Sequence, residues 1–201
     1  MAKSYCQYCP VAHALDVVGE RWSLLIVREL LKGPLRYTDL SGRLSGIGSN
    51  ILAARLRELE SAGVIARRQL PPPAPARIYE LTEHGRGLQS VVAELARWGA
   101  RSLGPPETEH LSPGWIRNPL EIFLPAGFRG RIEFRVDDEV ASIVDGVVLD
   151  GPCEEPDLVV ETDSDGFYHL LVEGEAAQLT LEGDETQLAA LLERSPARAT
   201  A

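Results

Sequence analysis

The sequence predicts an α+β chain in two unlike parts: a mostly helical first half that carries a two-stranded ribbon, then a small sheet with helices. Three observations predict it. Apolar residues recur at steps of three and four through five segments before about residue 104. Two short strand-like runs interrupt them and flank a proline-rich tip. After Gly104-Pro105-Pro106-Glu107-Thr108-Glu109 the pattern shifts to alternation of period two. The expected parts are residues 1–104, a linker over 105–112, and an α+β domain over 113–201.

In the first half, Val11–Val18 forms a short helix with Val11, Leu15 and Val18 on one face. Trp22–Leu31 is a second, with Trp22, Ile26 and Leu30 at steps of four, stopped by Gly33-Pro34. Leu35–Leu44 holds a third, starting near Tyr37-Thr38. Ser45-Gly46-Ile47-Gly48 is a turn, and Ser49 is a suitable N-cap for a fourth helix over Asn50–Ala62. Its buried face is Leu52, Leu56 and Leu59, and Gly63 is the expected left-handed stop. Val64–Leu70 and Arg77–Leu81 are strands, and the prolines between them cannot continue a ladder. Thr82 caps one last helix running to about Leu103.

In the second half, Arg131–Val136 alternates, with Ile132, Phe134 and Val136 on one side. Val140–Asp150 holds two strands turning at the hairpin dipeptide Asp145-Gly146. Leu158–Glu161 and Gln178–Leu181 are further strands. Asp163–Glu173 and Asp184–Glu193 are short helices, and the tail after Arg194 is expected to fray.

Charge separates the halves. The whole chain of 201 residues carries −10, which by itself argues against a polyanionic partner. Residues 1–104, however, hold 14 Lys+Arg against 9 Asp+Glu, a net of +5, and the remainder holds 6 against 21, a net of −15. The first half suits phosphate, and the second is repelled by it. No run approaches the roughly 20 apolar residues of a membrane span, and the N-terminus has no signal-peptide core, so a cytoplasmic protein is expected. Three cysteines are an odd count that fits a reducing compartment. No nucleophile–base pair, metal cluster or cofactor loop is visible, so the expectation is a non-enzyme without cofactor.

Three helices, a turn, a helix, a ribbon and a helix is the order of a winged helix-turn-helix. The helix after the turn must be buried on one face and free on the other to enter a major groove of double-stranded DNA. Asn50, Ala53, Ala54 and Arg57 lie opposite the leucines, with Ser49 and Asn50 at the end that reaches base edges. Asn reads adenine, Arg reads guanine, and alanine allows close approach to a thymine methyl. Arg67, Arg68 and Arg77 flank the ribbon tip, where they meet phosphate, or else serve as edge-strand charges. Two readings stand for Arg55, an ion pair or a DNA contact, and two for Tyr37, packing or a phosphate contact.

These residues also resemble the HxlR family of bacterial regulators. The resemblance is carried by Cys9-Pro10-Val11, by Gly19 through Ile26, by Arg28-Glu29-Leu30, by Arg36 through Leu40, by Ile47 through Leu59, and by Tyr79-Glu80-Leu81-Thr82 with Gly85. It spans residues 5 to 103. It implies a homodimer, with the first and last helices of this half at its interface, on an inverted-repeat operator. More weakly, Pro156–Glu161, the Asp165–Leu171 helix and Leu181–Asp184 resemble sterol carrier protein 2. That resemblance implies a sheet and helices around an apolar tunnel.

All four phenylalanines lie in the second half. Phe123, Phe134, Phe167 and Tyr168 are core residues by default; the leading expectation is that this domain binds a small apolar effector that modulates the regulator, and these four then form the wall of its pocket. Trp22 and Trp98 belong to a core or a dimer interface. Cys6 and Cys9 form C-x-x-C with His13 nearby. Zinc would need a fourth ligand. Idle thiols are the plainer reading. Redox sensing at Cys9 is the alternative, since some relatives in that family carry a sensing cysteine there. That alternative leaves the second half a ligand-free interaction or dimerisation module.

Overall fold

The computed structural model describes residues 4–70, 76–100, 102–106, 111, 114–176 and 178–193. The expected proline tip over 71–75, residues 107–110 and 112 of the linker expected over 105–112, and the tail from Arg194 lie outside them. The chain divides into two compact units, 1–94 and 95–201.

In the first unit, α1 (Pro10–Val18) opens with proline at its first position, where the missing N–H costs nothing. Trp22, at φ +82°, precedes α2 (Ser23–Leu31), which buries Ile26, Val27 and Leu30. A two-residue strand, β1 (Leu35–Arg36), precedes α3 (Tyr37–Arg43), whose first turn is tied down by the Arg36 backbone N–H donating to Asp39 at 3.0 Å. The buried carboxylate of Glu29, only 3% exposed, faces Arg28 at 2.7 Å, Lys32 at 3.6 Å and Arg43 at 3.7 Å, so an ion cluster centred on it joins α2 to α3.

Helix α4 (Ser49–Ser61) buries Leu52, Leu56 and Leu59, as the spacing predicts. Ser49 is its first helical residue, not its cap. Gly48 holds the cap position in extended conformation without a side-chain bond. Gly63, at φ +71°, ends the helix, and the Val64 N–H donates to the Leu59 carbonyl at 2.9 Å. Strands β2 (Ile65–Gln69) and β3 (Arg77–Leu81) pair antiparallel from Ile65↔Leu81 to Gln69↔Arg77. The expected two-stranded ribbon gains a third strand, because β1 joins the other edge of β3 in the order β1-β3-β2. Two residues are too short to leave a period in the sequence.

The single helix expected from Thr82 is two. Thr82 accepts the Gly85 N–H and starts α5 (Glu83–Arg86), and α6 (Gln89–Ala100) follows a break. At the break, Gly87 and Leu88 donate across three residues to His84 and Gly85, the tighter turn that ends α5. Gly85 is buried where any Cβ would sit on the Val64 carbonyl oxygen.

The second unit takes in the end of α6 from Leu95 and then α7 (Arg117–Phe123), a two-turn helix that the sequence pattern does not announce. Its proline, Pro119, stands in the first turn, where an absent N–H is tolerated. Strand β4 (Arg131–Val136) buries Ile132, Phe134 and Val136 completely. A hairpin joins β5 (Glu139–Val144) to β6 (Val147–Asp150) through Asp145 and Gly146, both at positive φ, the mirror-image turn that suits strand twist. Strand β7 (Leu158–Thr162) runs parallel to β4, and β8 (Thr180–Gly183) pairs antiparallel with β7. The mixed sheet runs β6-β5-β4-β7-β8. Between β7 and β8, α8 (Ser164–Tyr168) continues as a π-helical turn over His169–Glu173, and α9 (Thr186–Glu193) follows β8. Phe167, Leu170, Leu188 and Leu191 close one core over β4 and β7 with Leu120 and Phe123. Among the described residues no helix is long and apolar enough to cross a membrane.

Candidate nucleic-acid interface

The core of the first unit takes Leu52, Leu56 and Leu59 from α4, leaving the opposite face of that helix in solvent. Asn50 and Arg57 stand exposed on it, and Ala53 and Ala54 are half-buried beside them. Among the described residues neither Asn50 nor Arg57 has a side-chain hydrogen bond or ion pair. Tyr37 is half-buried against the core, and its hydroxyl donates to the Ser49 carbonyl at 2.9 Å. That bond ties the start of α3 to the start of α4, so Tyr37 holds the angle at which α4 is presented.

Arg55 lies on the flank, its guanidinium 3.6 Å from Glu20 and also paired with Glu58. Its single positive charge is shared between these two carboxylates, and its side chain is mostly buried. On β2, Ile65 is buried and Ala66 half-buried, while Arg67, Arg68 and Gln69 are exposed. Arg67 lies 3.8 Å from Glu60, and Arg68 donates to Glu80 at 3.0 Å. Arg77 is exposed, with no partner among the described residues. Exposed pairs of this kind contribute little and are readily exchanged for a phosphate. Sequence reasoning passed over Ile51, which is 47% exposed near the leading end of α4. Its signal was its place 100° from Leu52 on the wheel, off the buried stripe.

Cys9 is the N-cap residue of α1 and is half-buried, Cys6 is exposed, and both thiols are free. Apolar side chains stand exposed on α1 (Val11, Leu15) and on α6 (Val91, Leu95, Trp98), with Trp98 at 70%. Trp22 instead packs against the core of the first unit.

In the second unit Phe123, Phe134 and Phe167 are buried in the core. Phe167 meets Phe134 edge-on at 6.0 Å and Trp115 at 5.4 Å between ring centres. Tyr168 donates its hydroxyl to the Leu103 carbonyl at 2.6 Å. An open cleft of about 500 Å³ is lined by Asp137, Asp138, Glu161, Asp163 and Arg135, among others. It is a carboxylate-rich site and includes none of the four aromatic residues. On the outer side of the sheet, the buried Glu133 accepts from Arg135 at 2.8 Å and from the Cys153 backbone N–H at 3.2 Å.

Among the described residues, His169, Glu173 and Glu175 form the group with metal-ligand types close together, within 4.8 Å. The His169 ring is already engaged, by Glu173 at 2.7 Å and Asp165 at 3.6 Å. The hydrogen bond to Glu173 raises its pKa above the ordinary imidazole value, against a smaller desolvation effect. Asp165, His169 and Glu173, spaced by four, lie along one face of α8 and its π-helical continuation, with His169 bridging the two carboxylates.

A family model described as HxlR-like helix-turn-helix matches residues 17–107. The helix-turn-helix-type transcriptional regulator YvaP of Bacillus subtilis is 35% identical over 101 residues, 49% of this chain and 93% of that protein. The helix-turn-helix-type transcriptional regulator YodB of the same organism is 36% identical over 101 residues, 50% of this chain and 90% of that protein. The solved structure of YodB in its reduced form covers 50% of this chain and all of that one at 34% identity, with a TM-score of 0.44. These relatives match about half of the chain.

Proposed function

The chain belongs to the HxlR-like helix-turn-helix family through its N-terminal half and is a transcriptional regulator; from that premise we propose that it binds an inverted-repeat operator in duplex DNA as a homodimer. Each subunit sets the 49–57 segment into a major groove, with half-sites about one helical turn apart. The observation that carries this reading is the outer face of α4: Asn50 and Arg57 stand exposed, without side-chain partners among the described residues, opposite three buried leucines. Ser49, Ala53 and Ala54 let the helix approach, and Arg67, Arg68 and Arg77 hold phosphate. Arg55, committed to Glu20 and Glu58, is assigned a structural part. Asn50→Ala and Arg57→Ala are expected to weaken specific binding by about 1–3 kcal/mol each and to change base preference. Arg68→Ala is expected to weaken all duplexes alike. Equal behaviour of both classes on selected and random DNA refutes the assignment.

The dimer reading is supported by the exposed apolar residues of α1 and α6. Trp98→Glu is expected to shift the sedimenting species from dimer to monomer at micromolar concentration, and an unchanged species refutes it. For the second unit, the mutual packing of Phe123, Phe134 and Phe167 favours a ligand-free module over a wall for an apolar effector. Its charge would turn it away from the duplex. A small apolar effector is the competing reading, and calorimetry with fatty acids and sterols separates the two. A redox reading has its own support: Cys9 caps α1, which also carries Val11 and Leu15, so oxidation there would act on the proposed dimer face. An equal change in operator affinity for wild type and Cys9→Ser after a thiol oxidant excludes it.

A further inference from the structure

The feature of α4 that polar readout leaves unused is Ile51. A singly exposed apolar side chain is ordinary on a protein surface. This one stands one residue past Asn50, in the first turn of the helix, and is 47% exposed. Its Cδ1 lies back toward the helix start, 3.9 Å from where a Cβ on Gly48 would be. Helical side chains cover the turn that precedes them, so the Cδ1 methyl of Ile51 is carried toward the leading end of α4. Gly48 has no side chain to shield it. A β-branched residue adds nothing to helix propensity there. In the major groove, thymine offers one apolar group, its C5 methyl.

We propose that Ile51 is a specificity-determining residue that packs on the C5 methyl of one thymine in each half-site. The proposal rests on the reading that α4 enters the major groove, and it adds an apolar contact to the polar readout by Asn50 and Arg57. Ala53 and Ala54, half-buried and shorter, would line the approach without reaching as far.

The test pairs a methyl deletion on the protein with one on the DNA. Duplexes selected from a random library by the full-length protein are resynthesised with deoxyuridine replacing each thymine in turn, which removes the methyl and leaves the pairing edge intact. For wild type, one position per half-site is expected to lose about fourfold in affinity, the worth of one buried methyl group. Ile51→Ala is expected to bind the thymine and uracil duplexes equally at that position, and Ile51→Val to retain part of the discrimination. Unchanged thermal unfolding of both variants excludes a folding defect. Wild type and Ile51→Ala losing the same factor at the same thymine overturns the proposal, because another residue then touches that methyl. Loss at no thymine overturns it as well. Selection of no sequence at all refutes the groove reading, and this contact with it, so the two failures are distinguishable.

Discussion

Replacing Arg77 by glutamine tests the ribbon as a phosphate clamp, with Arg55→Gln as its internal contrast. Arg77 is exposed at the start of β3 and free of partners among the described residues, whereas Arg55 is mostly buried between Glu20 and Glu58. A free cation that reaches phosphate releases condensed counterions, and log K then falls with log salt at about −0.9 per contact. A dimer losing two such contacts should show a slope flatter by about 1.8. Between about 50 and 200 mM salt, wild-type affinity should therefore fall roughly twelvefold further than that of Arg77→Gln. Arg55→Gln should leave the slope unchanged, since its charge is already neutralised within the protein, and should lower stability instead. Fluorescence anisotropy against a selected operator and a random duplex, across a salt series, measures both. Arg77→Gln should shift the two duplexes in parallel. An unchanged slope, or a loss confined to the operator, refutes the clamp. A flattened slope for Arg55→Gln refutes the division between paired and free arginines.

Three further outcomes follow from the packing and the ion network. Leu56→Ala removes a buried anchor of α4 and is expected to cost about 2–5 kcal/mol in denaturant unfolding; a loss below about 1 kcal/mol would mean that α4 is not held by its leucine stripe. Phe167→Ala deletes a ring packed against both Phe134 and Trp115 and should cost about 3–5 kcal/mol, without altering operator affinity if the acidic unit stays off the duplex. Glu173→Gln should lower the His169 pKa in an NMR titration. With the folded value raised, the pair contributes stability while the imidazole is protonated, and that contribution fades as pH rises through the folded value. An unshifted titration would exclude Glu173 as its cause.

Much of the fold is legible in the sequence where one local signal dominates. The i, i+4, i+7 leucines of α4, the glycine that ends it and the Asp145-Gly146 hairpin are set by backbone sterics and periodicity within a few residues, and each lies where its signal placed it. The outward placement of Asn50 and Arg57 follows from that same wheel. The short elements were not legible. Strand β1 exists because β3 offers an unpaired edge, and α7 because Leu120 and Phe123 find the core of the second unit. Thr82 announced a helix start, but not that α5 packs so closely on the Val64 carbonyl that residue 85 has no room for a Cβ, a contact 21 residues away along the chain.

The sequence by itself determined the class of this protein: a basic, winged helix-turn-helix half joined to an acidic α+β half, because hydrophobic period and charge are properties of the chain before it folds. Only the tertiary structure sorted the arginines into committed and free ones. It seated the phenylalanines against one another, and it left Ile51 uncovered at the start of α4. Those distinctions depend on which side chains distant segments bring within a few ångströms, and a linear pattern holds no record of that.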